Sequence, residues 1–221
     1  MIKILYENAN MVFCIKPAGV SSEEEMTLKL KEQLNCEIYA LHRLDKPVSG
    51  VMVYAKTKGA AADISRKIAS GDDFKKEYLV VCEGEFSENE GTMEDLLFKD
   101  SSKNKSFVVK RERKGVKKAL LTYKVLKKGF FNEKVCSFVL VELQTGRSHQ
   151  IRVQFASRKH PLLGDKKYGS RENCPIGLYS HRIQTCNLNI SDNPPCETPW
   201  NVWHSLLKSS ITVSVKRKAL K

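Results

Sequence analysis

The residues able to do chemistry gather in two short stretches. The first is His42-Arg-Leu-Asp-Lys-Pro-Val-Ser-Gly50, which places an imidazole, a guanidinium, a carboxylate and an ammonium in one turn. An apolar lead-in, residues 38–41, runs into it, and a second apolar run, residues 51–55, leaves it. Pro47 fixes its own φ and pushes Lys46 out of the helical region. Gly50 permits a tight exit into the next strand. A carboxylate fixed there, Asp45, is costly to bury without a partner or a use. Two readings stay open: a structural ion pair of Asp45 with Arg43 or Lys46, or an ionised carboxylate held for nucleophilic or proton-transfer work.

The second stretch is Gly146-Arg-Ser-His-Gln-Ile-Arg152. It places donors at the expected start of a helix, with Ser148 as the expected cap, and helix N-termini attract anions. Arg152 falls in the first turn or so, where it can bind a carboxylate from another loop bidentately. Asp45 is the candidate. Such a pair keeps a carboxylate ionised in a dry pocket by lowering its pKa.

These stretches need elements to carry them. Residues 2–6 and 11–16 read as two short strands joined by Asn8-Ala9-Asn10. Residues 22–34 read as a helix, with Ser22 as cap and Met26, Leu30 and Leu34 on one face. Residues 58–69 read as a second helix stopped by Gly71. Strands are expected at 75–82, 107–110, 120–126, 135–143 and 178–188. Turns are expected at 111–115 and 127–129, and an acidic loop at 87–91. A helix from Ser148 should end before His160-Pro161. Residues 191–199 should be irregular, 200–207 a short helix and 211–215 a last strand. Alternating short strands and tight turns suggest a mostly antiparallel sheet.

The bulk numbers suit this. The chain has 221 residues, 41% hydrophobic and 29% charged, with net charge +13. From Lys99 to Lys128 twelve Lys/Arg stand against two acids, Asp100 and Glu112, a net of +10, and the tail adds Lys216, Arg217, Lys218 and Lys221. Clustered positive charge favours a polyanion such as nucleic acid or an anionic membrane surface, unless it is only a solvated basic hairpin. The seven cysteines include no CxxC, which argues against a zinc site or disulfide framework and for a reducing compartment. No apolar run approaches the ~20 residues of a membrane span. The expectation is one catalytic domain over residues 1–221, cytoplasmic and monomeric, without signal peptide, membrane or DNA partner.

Together the motifs resemble the RluA-type RNA pseudouridine synthases. His42-Arg-Leu-Asp45, with Ser49-Gly50 and Ala55-Lys56-Thr57, looks like that family's catalytic segment. Lys76-Glu-Tyr78 looks like its Lys-x-Tyr strand, and Gly146–Arg152 like its Gly-Arg-x-His-Gln-Ile-Arg motif. His160-Pro-Leu-Leu-Gly-Asp165 with Lys167-Tyr-Gly169 looks like the segment that follows, and Lys16-Pro-Ala-Gly19 like the opening. The match covers about residues 2–188. Val48 replaces the usual Thr, residues 189–221 follow no family pattern, and no RNA-binding module precedes Lys16.

The resemblance implies an α+β fold, a mixed, mostly antiparallel sheet with flanking helices and loops. It implies isomerisation of uridine to pseudouridine in ribosomal or transfer RNA, without cofactor or metal. Asp45 would be the catalytic carboxylate, Arg152 its partner and Tyr78 the stack for the target uracil. Arg43 would act in base flipping. Ile151, Leu178 and Tyr179 would wall the pocket and Arg147 would touch substrate, while His42 and His149 read as structural. The alternative is a catalytically inactive RNA-binding paralogue.

Overall fold

The computed structural model describes residues 1–70, 74–185 and 188–209. The expected stop at Gly71, the strand at 211–215 and the basic tail lie outside these. The strands are β1 (Ile4–Glu7), β2 (Met11–Lys16), β3 (Tyr39–Ala40), β4 (Ser49–Ala55), β5 (Phe74–Glu83), β6 (Glu90–Asp100), β7 (Lys105–Val109), β8 (Val116–Phe131), β9 (Lys134–Leu143), β10 (Leu178–Thr185) and β11 (Leu188–Ser191). The helices are α1 (Glu25–Leu34), α2 (Lys58–Ser70), α3 (Gln150–Ser157) and α4 (His204–Ser209). The chain forms two compact units.

The first unit holds Met1–Lys76, Tyr179–Pro194 and the residues from Leu207. Its strands run β1-β2-β4-β10, with β3 also on β4 and β11 on β10. The pairs are antiparallel except β4 with β10, which is parallel and puts Gly50 beside Ser180. Phe13, Val51, Val53, Phe74, Ile183 and Ile190 pack with Ile64 of α2. Burying a side chain of that size contributes about 1.5–3 kcal/mol. Ser22 does not cap α1. The helix starts at Glu25 after Glu24, with no side-chain cap, because the Ser22 hydroxyl is bonded to the backbone of Leu44 instead. Met26 and Leu30 face the interior as their spacing requires.

The second unit holds Glu77–Leu178 and Pro195–Leu206. Its strands run β5-β9-β8-β6-β7. The β6–β7, β6–β8 and β8–β9 pairs are antiparallel. α3 lies on this sheet: Val153 and Tyr168 pack on Leu97 and Ala119, and Gln150 donates to the Leu120 carbonyl at 3.1 Å. Gln154 donates to the Met93 carbonyl and the Asp95 carboxylate at 3.1 and 2.8 Å.

Two sequence readings fail in this unit. β8 runs straight through the turn expected at residues 127–129, and the reversal comes at Asn132 and Glu133, both at positive φ. A register shift between Val125 and Lys127 marks a bulge there, which leaves Leu126 exposed. β6 takes Glu90 and Gly91 from the expected acidic loop and runs on through residues 92–100, to which the sequence reading assigns no element because the acids hide the alternation of Met93, Asp95 and Leu97. The segment after β11 anchors here by its tryptophans. The Trp203 ring stacks on Phe138 at 5.6 Å, and a Cβ on Gly129 would sit 2.8 Å from that ring.

Candidate active site

In the first unit the Asp45 turn is closed by Val48 N–H donating to the Asp45 carbonyl at 2.9 Å. The backbone on both sides of Asp45 is clamped. On one side, the Ser22 hydroxyl donates to the Leu44 carbonyl at 2.9 Å and accepts from its N–H at 3.0 Å. On the other, the Lys46 carbonyl accepts from Gly19 N–H at 2.7 Å and from the Lys16 ammonium at 3.2 Å. Lys16 has no exposed surface. It also donates to the carbonyls of Pro17 and Val20 at 2.9 and 2.8 Å. Burial pushes its pKa down to about 8, against the opposing charges of Asp45 and Glu25. The opening motif therefore folds around a buried cation that grips the Asp45 turn.

The other basic groups of the stretch point outward. Arg43 lies 3.9 Å from Glu23 and Lys46 lies 3.5 Å from Glu25, all well exposed. Pairs so exposed contribute little to stability. His42 faces inward. Its Nε2 accepts from Val53 N–H at 3.3 Å, and its ring meets Phe74 edge-on at 5.9 Å. Burial and the nearby Lys76 charge push its pKa down to about 3, so the imidazole is neutral and carries its proton on Nδ1. That nitrogen is buried without a hydrogen-bond partner among the described residues. Gly50 at φ +126° abuts β10, and a Cβ there would sit 2.3 Å from the Ser180 carbonyl oxygen.

In the second unit Tyr78 is a buried residue of β5, and Ile151 and Leu178 are buried as well. Ser148 is not the cap of α3. The cap position is His149, at φ +53° with no side-chain cap. The Ser148 carbonyl accepts from the Ser106 hydroxyl at 2.6 Å. Arg147 is exposed, and its Nε donates to the Lys118 carbonyl at 2.8 Å. The Arg147 N–H goes to the Gln150 side chain at 3.0 Å.

Arg152 is almost wholly buried. Its Nε and Nη2 donate to the two oxygens of Asp165 at 2.7 and 2.8 Å, and its guanidinium carbon lies 5.1 Å from the Tyr168 ring centroid. Arg152 thus holds Asp165 in a two-pronged fork. Sequence reasoning placed Asp165 and Tyr168 in a motif without giving either a role. The signal available was their order: an acid and an aromatic a few residues beyond the arginine helix.

A family profile described as RNA pseudouridylate synthase matches residues 10–157. The chain belongs to that family. The RluA-type resemblance of its motifs agrees. It is 33% identical over 213 residues to an uncharacterized RNA pseudouridine synthase, YhcT, of Bacillus subtilis (strain 168), covering 90% of this chain and 68% of the relative. It is 30% identical to the ribosomal large subunit pseudouridine synthase C of Buchnera aphidicola, covering 86% of this chain and 61% of that one. It is also 30% identical to the tRNA pseudouridine synthase C of Vibrio vulnificus, covering 76% and 74%. The chain thus spans roughly three fifths to three quarters of these synthases. The fold matches human RNA pseudouridylate synthase domain containing 1, with TM-score 0.76 at 23% identity over 90% of this chain and 85% of that one. The expected α+β class, a mixed, mostly antiparallel sheet, is the class found.

Proposed function

We propose that this chain isomerises uridine to pseudouridine in ribosomal or transfer RNA, with Asp45 as the catalytic carboxylate. The observation that carries the reading is the clamp on Asp45. Inside the family's motif, buried donors fix the backbone on either side of this one acid. A reacting group gains most when its geometry is set before substrate arrives. In the reaction the C1′–N1 bond breaks, the uracil turns, and C5 bonds to C1′. The C5 proton leaves and N1 gains one, so the atoms balance without a cofactor. Asp45 attacks the ribose, attacks the base or takes the proton; its role is chosen among these by trapping experiments.

The remaining roles follow the family motifs. Arg152 supplies the cation that keeps the carboxylate ionised, and Tyr78 stacks on the uracil. Arg43, exposed on the Asp45 turn, acts as the target nucleotide leaves its stack. Ile151 and Leu178 offer apolar surface to the base, and Arg147 meets the RNA backbone. Relatives named for ribosomal and transfer RNA support RNA as substrate. The buried free thiols Cys14, Cys82 and Cys136 support a reducing cytoplasm.

The test uses ribosomal and transfer RNA from cells lacking the gene, labelled with tritium at uridine C5. The protein should release tritium as pseudouridine forms. Asp45→Asn should abolish release by several orders of magnitude while RNA binding persists. Release by Asp45→Asn at the wild-type rate removes Asp45 from the mechanism. Binding without release by the wild-type chain points to an inactive RNA-binding paralogue.

A further inference from the structure

The loop that follows α3 is tied to its surroundings by a set of backbone bonds. Glu83 N–H donates to the Pro161 carbonyl and Leu163 N–H to the Val81 carbonyl, each at 2.9 Å. Cys82 and Leu162 form a β-bridge, and Gly177 N–H donates to the Leu163 carbonyl at 2.8 Å. At Gly164, φ is +71°, and a Cβ would lie 2.3 Å from the Cys174 carbonyl oxygen. The loop is thus welded to β5, the strand that carries Tyr78.

Asp165 follows that glycine. Its N–H donates to the Leu162 carbonyl at 3.0 Å, and its own carbonyl accepts from Tyr168 and Ser170 N–H groups at 3.0 and 3.2 Å. Backbone bonds therefore fix the carboxylate before Arg152 meets it. Tyr168 is fixed as well: its hydroxyl accepts from Ser106 N–H at 2.8 Å and lies 2.9 Å from His149 Nδ1. A guanidinium on a long side chain has several rotamers to lose on ordering. Here Asp165 takes two of its N–H donors on one edge and its carbon lies over the Tyr168 ring, 5.1 Å from the centroid, so the orientation is set by the loop.

We propose that Asp165 is a positioning residue for catalysis, acting through Arg152, with the Tyr168 ring as its second support. The proposal rests on the catalytic role of Arg152 in the reaction proposed for this chain. A carboxylate that only neutralised a buried cation could sit on either edge of it. One that takes Nε and Nη2 together, from a loop bonded to β5, fixes the direction of the guanidinium and its height relative to that strand.

The test is a double-mutant cycle on the tritium-release assay, with Asp165→Asn, Arg152→Lys and the double variant, each checked for a cooperative thermal melt. Asn keeps the shape and offers one acceptor where two are needed. Asp165→Asn should lower kcat by roughly 100-fold, the scale of a 1 Å misplacement, and shift the half-saturating RNA concentration less than about twofold. In the Arg152→Lys background, where no fork can form, the same change should cost less than about threefold. Wild-type kcat in Asp165→Asn overturns the proposal. An equal loss in both backgrounds also overturns it, since that marks a general defect of the fold. Arg152→Lys at the wild-type rate overturns instead the role given to Arg152, and Asp165 with it. Should Asp165→Asn fail to fold, Asp165→Glu, which keeps the charge and displaces the fork by one methylene, is read by the same criteria.

Discussion

The Lys16 ammonium donates to the carbonyl of Lys46 at 3.2 Å, on the residue next to Asp45. A buried cation held by three carbonyls is an unusual way to build a turn. It costs desolvation, which shows in the lowered Lys16 pKa. In return it pins residues 17, 20 and 46 to one point.

Lys16→Met should therefore act on stability and turnover together. It takes the ammonium donor from the Pro17 and Val20 carbonyls, each worth about 1–3 kcal/mol when buried and unmet, while the Lys46 carbonyl keeps Gly19 N–H. Removing the desolvation cost of the cation offsets part of this. The net loss should be about 2–4 kcal/mol, with slower pseudouridine formation because the Asp45 turn loosens. Urea unfolding and single-turnover rates check it; an unchanged midpoint and rate would show that Lys16 does not hold the turn.

Gly50→Ala should not give a native protein. The position combines φ +126° with a 2.3 Å approach to backbone oxygen, and no rotamer relieves a clash between Cβ and main chain. The variant must part β4 from β10, at a cost above about 4 kcal/mol. A folded, active Gly50→Ala protein by circular dichroism and assay contradicts that packing.

His42 makes the fold acid-sensitive. Its native pKa is pushed down to about 3 from the ordinary 6.5. In the unfolded chain it takes up a proton below about pH 6.5, and in the native state it does not. Stability is fully present above that pH and falls by about 1.4 kcal/mol per unit as pH drops toward 3. His42→Phe loses the acceptor for Val53 N–H but also this titration. The stability gap between wild type and variant should narrow steadily from pH 7 to pH 4. A constant gap would show that His42 is not held neutral.

The basic segment should govern RNA affinity rather than chemistry. Lys110, Arg111, Arg113 and Lys114 are all exposed at the turn between β7 and β8, and Arg113 lies 4.7 Å over the Phe98 ring. Charge removal at all four should weaken binding. It should also flatten the salt dependence by roughly 0.7 for each phosphate of single-stranded RNA that is no longer neutralised. Phosphate contacts carry little sequence information, so the weakening should be similar across RNAs. The rate on RNA already bound should hold. A titration across several salt concentrations decides, and an unaltered slope sends the RNA past Arg147, Lys166, Lys167 and Arg171.

Much of this was legible in the sequence. β2 was readable to its ends because five apolar or small residues stop at Lys16-Pro17, and α2 because Ala60, Ile64 and Ile68 repeat at helical spacing. What failed did so for one physical reason: local signals were overridden by partners distant in sequence. Ser22 and Ser148 both look like helix caps, but Ser22 bonds Leu44 and Ser148 is held through Ser106. Lys127-Lys-Gly129 looks like a turn, but its glycine lets the Trp203 ring lie against the strand. The family's motifs supplied, by resemblance, the catalytic set proposed above. The Asp165 fork was not legible, because spacing shows that an acid follows the arginine and not which acid its guanidinium meets.

β8 outlasts both of its neighbours. Its 16 residues reach roughly 50 Å at the usual rise. It pairs with β6 along residues 116–124 and with β9 along 121–131, so the two partners overlap on only four residues. Strand side chains alternate with a period of two. Insertions of two residues near either hairpin tip preserve which side chains face α3, and insertions of one reverse them. The β7–β8 tip can thus lengthen or gain charge in even steps, while the short overlap keeps its register.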